Sequence, residues 1–188
     1  MLYTASDLKK GLRIKIDNEP YIITEFNFVK PGKGQALYHC KLKNMINGNQ
    51  FSRTFRSVDN FEAADLQHKK MQYLYKEDGK YYFMDNESYE QVFLTEEQMG
   101  EAKNFLIENI EAEILLFEDR PIDISLPNFV DLVVTGAEPW ARGDSVTGNT
   151  KPVTLETGYK ILVPTFIEEG QKIRVDTRTG EYLTRVKD

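Results

Sequence analysis

The sequence predicts a mainly β protein built as three consecutive small barrels, and three observations carry that expectation. Apolar and polar residues alternate over short runs: Ala36, Tyr38, Cys40 and Leu42 against Gln35, Leu37, His39, Lys41 and Lys43, with Leu37 the one breach. That period of two belongs to a half-buried strand. Turn formers interrupt such runs at short intervals, as in Asp17-Asn18-Glu19-Pro20, Asp78-Gly79 and Asp176-Thr177-Arg178-Thr179-Gly180. Only one short stretch has a helix signature, and five or so strands with one helical turn in about 60 residues is the pattern of an oligonucleotide/oligosaccharide-binding (OB) barrel.

The elements follow in order. Residues 1–63 give strands over 12–16 and 21–29, a tip at 30–34, the alternating strand after it, an Asn47-Gly48 hairpin and a closing strand over 54–57, which together make a small, strongly bent β-barrel. Residues 64–126 give strands over 71–75 and 81–84, joined through Glu77-Asp78-Gly79-Lys80, where both central residues favour positive φ. Thr95 with Gln98 then forms a capping box, Glu96 and Glu97 complement the helix N-terminus, and Met99, Ala102, Phe105 and Leu106 share a face. Strands over 111–117 and 122–126 flank a Glu118-Asp119-Arg120-Pro121 turn. Residues 127–188 give strands over 129–135, 160–166, 172–176 and 182–186, with a long polar loop over 136–152.

Composition excludes several function classes. Cys40 is the single cysteine of the 188 residues, so no internal disulfide and no cysteine-built zinc site is expected, and a reducing compartment, the cytoplasm, fits. With His39 and His68 the only histidines, a His-rich metal site is excluded as well, and no cofactor is implied. No run approaches the length of a membrane helix, and the start lacks the apolar core of a signal peptide, so no membrane partner is expected. The net charge of −6 is uneven. Residues 1–63 carry 10 Lys and Arg against 6 Asp and Glu, residues 64–126 carry 6 against 15, and residues 127–188 carry 8 against 9. The basic first segment is the one suited to nucleic acid.

Four groups of residues invite a chemical reading. In Val29-Lys30-Pro31-Gly32-Lys33-Gly34-Gln35-Ala36, Pro31 and Gly32 fit the centre of a type II turn with φ > 0 at Gly32, and Gly34 can take a left-handed conformation. Lys33 is left at the apex, up to about 30 Å from the strand ends. A turn has no structural need of long cationic side chains, although a solvated turn can carry them for solubility. The glycine and Lys-Ser/Thr spacing of a phosphate loop is absent. The polar loop Arg142 to Lys151 is long enough for a binding loop, and a plain linker stands beside that reading. Glu96, Glu97, Glu111 and Glu113 accompany no nucleophile–base pair or metal cluster, so first-turn and solvated-face charges account for them and no enzyme is expected. Tyr73, Tyr75, Tyr81, Tyr82 and Phe83 could stack bases, but their acidic surroundings would repel phosphates.

The tip sequence from Val29 to Ala36, together with Lys151-Pro152-Val153-Thr154-Leu155-Glu156-Thr157-Gly158, Val163-Pro164 and Gly170, resembles bacterial translation elongation factor P. The resemblance spans the chain, through Pro127-Asn128-Phe129-Val130 to Asp176-Thr177-Arg178-Thr179-Gly180-Glu181-Tyr182. It implies an N-terminal SH3-like/KOW-like barrel, like that of initiation factor five-A, over residues 1–63, an acidic OB-fold domain over 64–126 and a C-terminal OB-fold domain over 127–188, arranged as an L that mimics tRNA. It implies a factor that is not an enzyme, that suits a monomer, and that binds both subunits and the rRNA of the ribosome between the peptidyl and exit sites when consecutive prolines stall synthesis.

By the same resemblance, Lys33 is the lysine that touches the end of the prolyl peptidyl-tRNA. Lys30, Pro31, Gly32 and Gly34 support it, and an enzyme like lysyl-tRNA synthetase extends it. Gln35 in place of the proline of an unmodified branch is similar to the branch modified with β-lysine, and another adduct on lysine stays open. The family's third-domain loop, which meets the message on the small subunit, matches Gly143, Asp144, Ser145, Gly148, Asn149 and Thr150. Ser145 and Asn149 stand where the family pattern has Thr and Gly. Tyr182 and Arg185 match a Tyr-x-x-Arg pair near the small subunit. The rival class is a general single-stranded RNA-binding or chaperone module, whose binding would follow charge and aromatic grooves rather than Lys33.

Overall fold

The computed structural model describes residues 1–137 and 149–187. The first sheet holds β1 (Leu2–Thr4), β2 (Arg13–Ile16), β3 (Glu19–Val29), β4 (Leu37–Asn44), β5 (Gln50–Arg56) and β6 (Asn60–Ala63) in the order β1-β6-β2-β3-β4-β5. The second holds β7 (Leu66–Glu77), β8 (Lys80–Asp85), β9 (Gln91–Thr95), β10 (Glu111–Phe117) and β11 (Arg120–Ser125) in the order β11-β10-β7-β8-β9. The third holds β12 (Phe129–Ala137), β13 (Thr150–Leu155), β14 (Lys160–Pro164), β15 (Lys172–Asp176) and β16 (Glu181–Arg185) in the order β14-β13-β12-β15-β16. The fold class is the expected one, mainly β with curled sheets.

Turn chemistry explains where strands begin. Asp17 and Asn18 have φ of 51° and 63°, Asp78 and Gly79 have 49° and 72°, and Glu118 and Asp119 have 47° and 64°. Each pair reverses the chain in two residues, the arrangement that matches strand twist. The expected four-residue turns at 17–20 and 118–121 are therefore shorter, and Pro20 and Pro121 lie inside strands. Pro20 sits opposite Lys15, one step from the closing pair Ile16–Glu19, where the ladder asks nothing of a proline nitrogen.

The helix is also shorter than the apolar spacing suggested. The Thr95 capping box is formed, with Gln98 N donating to Thr95 Oγ1 and Thr95 N donating to Gln98 Oε1, but α1 spans only Glu96–Met99. Gly100, at φ 51°, ends it and a 3-10 segment runs on to Phe105. The long polar loop is shorter at both ends: β12 continues to Ala137, and Thr150–Leu155 is a strand. Pro152 hides that strand in the sequence. It stands opposite Leu162 of β14, one residue beyond Ala137–Val153, the last pair of β12 with β13 among the described residues.

The chain forms two compact units, Met1–Gln67 with Leu115–Ile122, and His68–Ile114 with Asp123–Asp188. In the first, Ile14, Ile23, Cys40, Leu42, Phe55 and Phe61 make a buried cluster, with the last two rings packed edge to face at 4.6 Å. A second cluster in that unit joins Leu115, Phe117 and Ile122, from the tip of the β10–β11 hairpin, to Met45, Ala64 and Leu66. Lys15 bonds Glu118 of the hairpin and lies 3.9 Å from Glu62. In the second unit Leu132, Val134, Leu155, Val163, Ile167, Ile173 and Val175 form the main core, and Phe105 reaches it from the 3-10 segment.

Candidate functional site: the lysine-tipped arm of the first sheet

The site grows out of the β3–β4 hairpin. Its ladder runs from Tyr21–Asn44 to Val29–Leu37, with a bulge between Ile23 and Glu25. Burial fades along the ladder toward its outer end. Going outward, Leu42 and Cys40 are fully buried, Phe26 and Tyr38 are half-buried, and Phe28 is 47% exposed. From the Phe26–Cys40 pair to Val29–Leu37 the hairpin adds three residues, about 10 Å, and β5 accompanies it as far as Leu37–Arg56.

Residues 30–36 close the arm as a seven-residue loop rather than a tight reversal. The expected type II turn is not formed, because φ is not positive at Gly32. Strand pairing stops at Val29–Leu37, so Pro31-Gly32 need not turn the chain alone. The positive φ falls on Gly34, at 134°, in a region open essentially to glycine alone, and a Cβ there would stand 3.6 Å from Pro31 Cγ. Lys30 and Lys33 are exposed, and neither forms an ion pair or hydrogen bond among the described residues.

The electrostatics of the arm come from what the sequence leaves out. Between Glu25 and Asp59 there is no carboxylate, while Lys30, Lys33, Lys41, Lys43, Arg53 and Arg56 fall in that stretch. Arg56 stands opposite Leu37 at the head of the arm. Lys41 is paired with Glu25 at 3.1 Å, and the Arg53 guanidinium lies 5.4 Å from the centre of the Phe55 ring. On the outer face, His39 Nδ1 and Thr54 Oγ1 are 2.7 Å apart. Cys40 is buried, and burial pushes its thiol above the usual range, so it is no nucleophile.

The other sequence candidates belong to the second unit, and those described lie on or beside the third sheet. Of the third-sheet loop, Gly143, Asp144, Ser145 and Gly148 lie outside the described residues. Asn149 and Thr150 are exposed, with Thr165 N donating to the Asn149 carbonyl at 3.2 Å and Thr150 paired with Pro164. Tyr182 and Arg185 share β16, but Tyr182 is half-buried against the third-sheet core, whereas Arg185 is exposed beside Lys172 and Lys187. The motif from Lys151 to Gly158 is structural where it is described. Val153 and Leu155 are buried, Glu156 accepts from Val133 N at 2.8 Å, and Thr157 Oγ1 donates to the Asn104 carbonyl at 2.6 Å.

The carboxylates likewise have ordinary partners. Glu96 meets Lys103 at 3.2 Å and Lys76 at 3.7 Å, and the first of these lysines holds it below the usual range. Glu113 meets His68 at 2.9 Å, and Glu111 accepts from Asn86 at 3.1 Å. No group of three or more metal-ligating side chains occurs among the described residues. Tyr73, Tyr81 and Phe83 pack inward, whereas Tyr75 stacks on Tyr82 at 4.8 Å and Tyr82 meets Phe93 at 5.9 Å on the outer face. Sequence reasoning missed two features of the arm: Phe28, which a gap in the alternating pattern does not mark, and Arg56. The carboxylate-free stretch is the signal that could have found both.

A basic hairpin arm on a small curled sheet, followed by two further curled sheets, defines a mainly β protein of three sheets with a cationic tip. The chain matches the Elongation factor P (EF-P) KOW-like domain over residues 4–61, the Elongation factor P (EF-P) OB domain over 66–124 and the Elongation factor P C-terminal domain over 130–185. It is 77% identical to the Elongation factor P of Syntrophus aciditrophicus over 99% of this chain and the whole of that protein. It is 54% identical to that of Desulfotalea psychrophila over the same shares, and 55% identical to Elongation factor P 2 of Geobacter sulfurreducens, again over 99% of this chain and all of that one. The chain therefore belongs to the elongation factor P family, a family of translation elongation factors. Among solved structures, eukaryotic translation initiation factor 5A from Methanococcus jannaschii aligns with a TM-score of 0.58 at 21% identity, covering 67% of this chain and 92% of that one. A family protein of the same kind from Naegleria fowleri gives 0.54 at 16%, covering 67% and 98%. At these identities the likeness is one of fold.

Proposed function

We propose that this protein binds the ribosome between the peptidyl and exit sites and stimulates peptide bond formation at consecutive prolines, with Lys33 holding the end of the prolyl peptidyl-tRNA. The observation that carries this reading is a lysine with no partner among the described residues, at the apex of an arm that contains no carboxylate. Proline reacts poorly because its ring restricts the geometry at the reacting centre. A factor that fixes the tRNA end in an attack-ready pose lowers the entropic part of the barrier and performs no chemistry of its own. The ammonium of Lys33 is a point donor on a flexible stem. Joining a further amino acid, β-lysine by the Gln35 reading, adds roughly 6 Å of reach and more amine donors for phosphate or ribose. The enzyme that does so would resemble lysyl-tRNA synthetase and would find Lys33 exposed.

In this reading Lys30, Pro31, Gly32 and Gly34 present Lys33. Residues 1–63, 64–126 and 127–188 act as three domains, a division supported by the three matched family regions. Gly143, Asp144, Ser145, Gly148, Asn149 and Thr150 meet the message, and Tyr182 and Arg185 lie toward the small subunit. The cytoplasm is the compartment of such a factor. The general RNA-module reading has one observation of its own, the outward row Tyr75, Tyr82 and Phe93, but that row sits in the acidic segment. The test is the rate of synthesis of a consecutive-proline peptide on purified ribosomes, with protein purified from its own cells or its Lys33→Ala variant. Relief by the native protein alone supports the reading; equal relief by both removes Lys33 from it; no relief with RNA binding intact favours the RNA module.

A further inference from the structure

The hairpin arm carries an aromatic stripe whose inner rings, Phe26 and Tyr38, pack against the barrel core and whose outer ring, Phe28, is exposed. Phe26 and Phe28 on β3 stand opposite Cys40 and Tyr38 on β4, so they continue the face that carries the buried Leu42 and Cys40. The Tyr38 ring lies 5.0 Å from Phe28 and 6.3 Å from Phe26. Cross-strand aromatic pairs stabilise hairpins, which accounts for the contact between these rings. It does not account for a phenylalanine left 47% exposed two residues before Lys30, at the outer end of the stripe. With Val29 also 39% exposed beside it, the arm presents apolar surface where a solvated hairpin would carry polar side chains.

We infer that Phe28, backed by Tyr38 and Phe26, is a stacking platform for an unpaired nucleobase of the RNA that the tip approaches. This rests on the reading of Lys33 given above and adds a base contact to what would otherwise be a purely cationic one. The charges decide the occupant. Lys30 and Lys33 stand beyond the ring, Arg56 faces Leu37 across the ladder, and no carboxylate falls between Glu25 and Asp59. Aromatic surface in a cationic setting is what single-stranded RNA engages, with the cations on its phosphates and the ring on a base face. The middle segment has a comparable row, Tyr75, Tyr82 and Phe93, but Glu77 adjoins it on β7 and 15 acidic residues fall between 64 and 126, so phosphates are not favoured there. At the arm, the ring fixes the orientation of a base while Lys33 and its extension reach past it. A flexible cation alone cannot provide that directionality.

The test uses full-length protein purified from its own cells, in the consecutive-proline assay, with Phe28→Leu, Phe28→Trp and Phe28→Ser beside Lys33→Ala. Leucine keeps apolar bulk and removes the π-face; tryptophan enlarges that face. Stacking predicts that Phe28→Leu raises the factor concentration for half-maximal relief about tenfold, the order of one lost base stack, and that Phe28→Trp stays within about twofold of native. Amide exchange at Val29 and Leu37 and the thermal midpoint should not move in either variant. If Phe28→Leu matches native protein while Lys33→Ala is inactive, the platform is wrong and the Lys33 reading stands; if Lys33→Ala is also fully active, both fall. If leucine retains function and only serine loses it, the surface meets an apolar protein partner, and the inference is overturned. A loss in Phe28→Leu that tracks faster exchange of the arm amides makes the ring a brace and overturns it too.

Discussion

At the scale of single residues, the tip separates what shapes the arm from what the arm delivers. Gly34 shapes it: with φ at 134°, an L side chain would force the backbone out of a region held almost solely by glycine. Gly34→Ala should therefore re-aim Lys33 at a local cost of about 1–3 kcal/mol. Because the strain falls in a loop outside the core, the thermal midpoint should barely change while relief of proline stalling drops several-fold. A variant with native relief would show that Lys33 does not depend on the Gly34 conformation. Lys33→Ala should do the reverse, leaving the loop as it is and abolishing relief. Lys33 was legible in the sequence because a long cation in a glycine turn has no internal purpose. Gly32 lacks the positive φ that a two-residue reversal would need, and only the end of the ladder at Val29–Leu37 reveals a seven-residue loop.

At the scale of elements, the β10–β11 hairpin is the contact whose consequence is easiest to test. Its tip residues Leu115, Phe117 and Ile122 pack with Met45, Ala64 and Leu66, and the Arg120 guanidinium lies 5.6 Å from the centre of the Phe117 ring. Phe117 is fully buried, so Phe117→Ala should destabilise the first unit by about 3–5 kcal/mol. Urea unfolding followed through amide signals of β2 and β6 should show the loss there, and an unchanged midpoint would mean that this cluster does not hold the unit together. Sequence alone could not show it, since Phe117 reads only as a strand residue and nothing in a period of two says which sheet it packs on. The same limit hid β13. Pro152 argues against a strand locally, and only the pairing of Thr150–Thr154 with Lys160–Pro164 reveals one. By contrast, the turns at Asp78-Gly79 and the capping box at Thr95 were legible because their geometry is set within four residues.

At the scale of the whole molecule, acid stability should be governed by two carboxylates that the fold holds ionised. Asp85 is held at about 2 first by the backbone N–H of Glu87, then by Lys69 and by Ser88. Asp176 is held at about 2 by Arg178, whose guanidinium grips both carboxylate oxygens at 3.0 and 2.7 Å and whose backbone N–H donates at 2.9 Å. In the unfolded chain each would titrate near 3.9. Between these values the unfolded state binds more protons, so stability rises with pH there. The stabilisation is complete above the unfolded value and is lost as pH falls from about 5 toward 2. Both residues lie in the second unit, and both fold back a local turn, Asp85 before Glu87-Ser88 and Asp176 before Arg178. Asp85→Asn and Asp176→Asn should therefore lower the urea midpoint at pH 6 and flatten its fall between pH 5 and 2.5, each variant removing part of the slope and the double variant most of it. Curves that stay parallel to the native one would place the acid sensitivity elsewhere, with Asp7, Glu96 and Asp131, also held below the usual range, the next groups to replace. The arm has no part in this titration, because the stretch from Phe26 to Val58 holds no carboxylate. Binding that depends on Lys33 and Phe28 should thus persist to any pH at which the first unit, which holds the arm, remains folded, and a loss of binding should coincide with the unfolding of that unit.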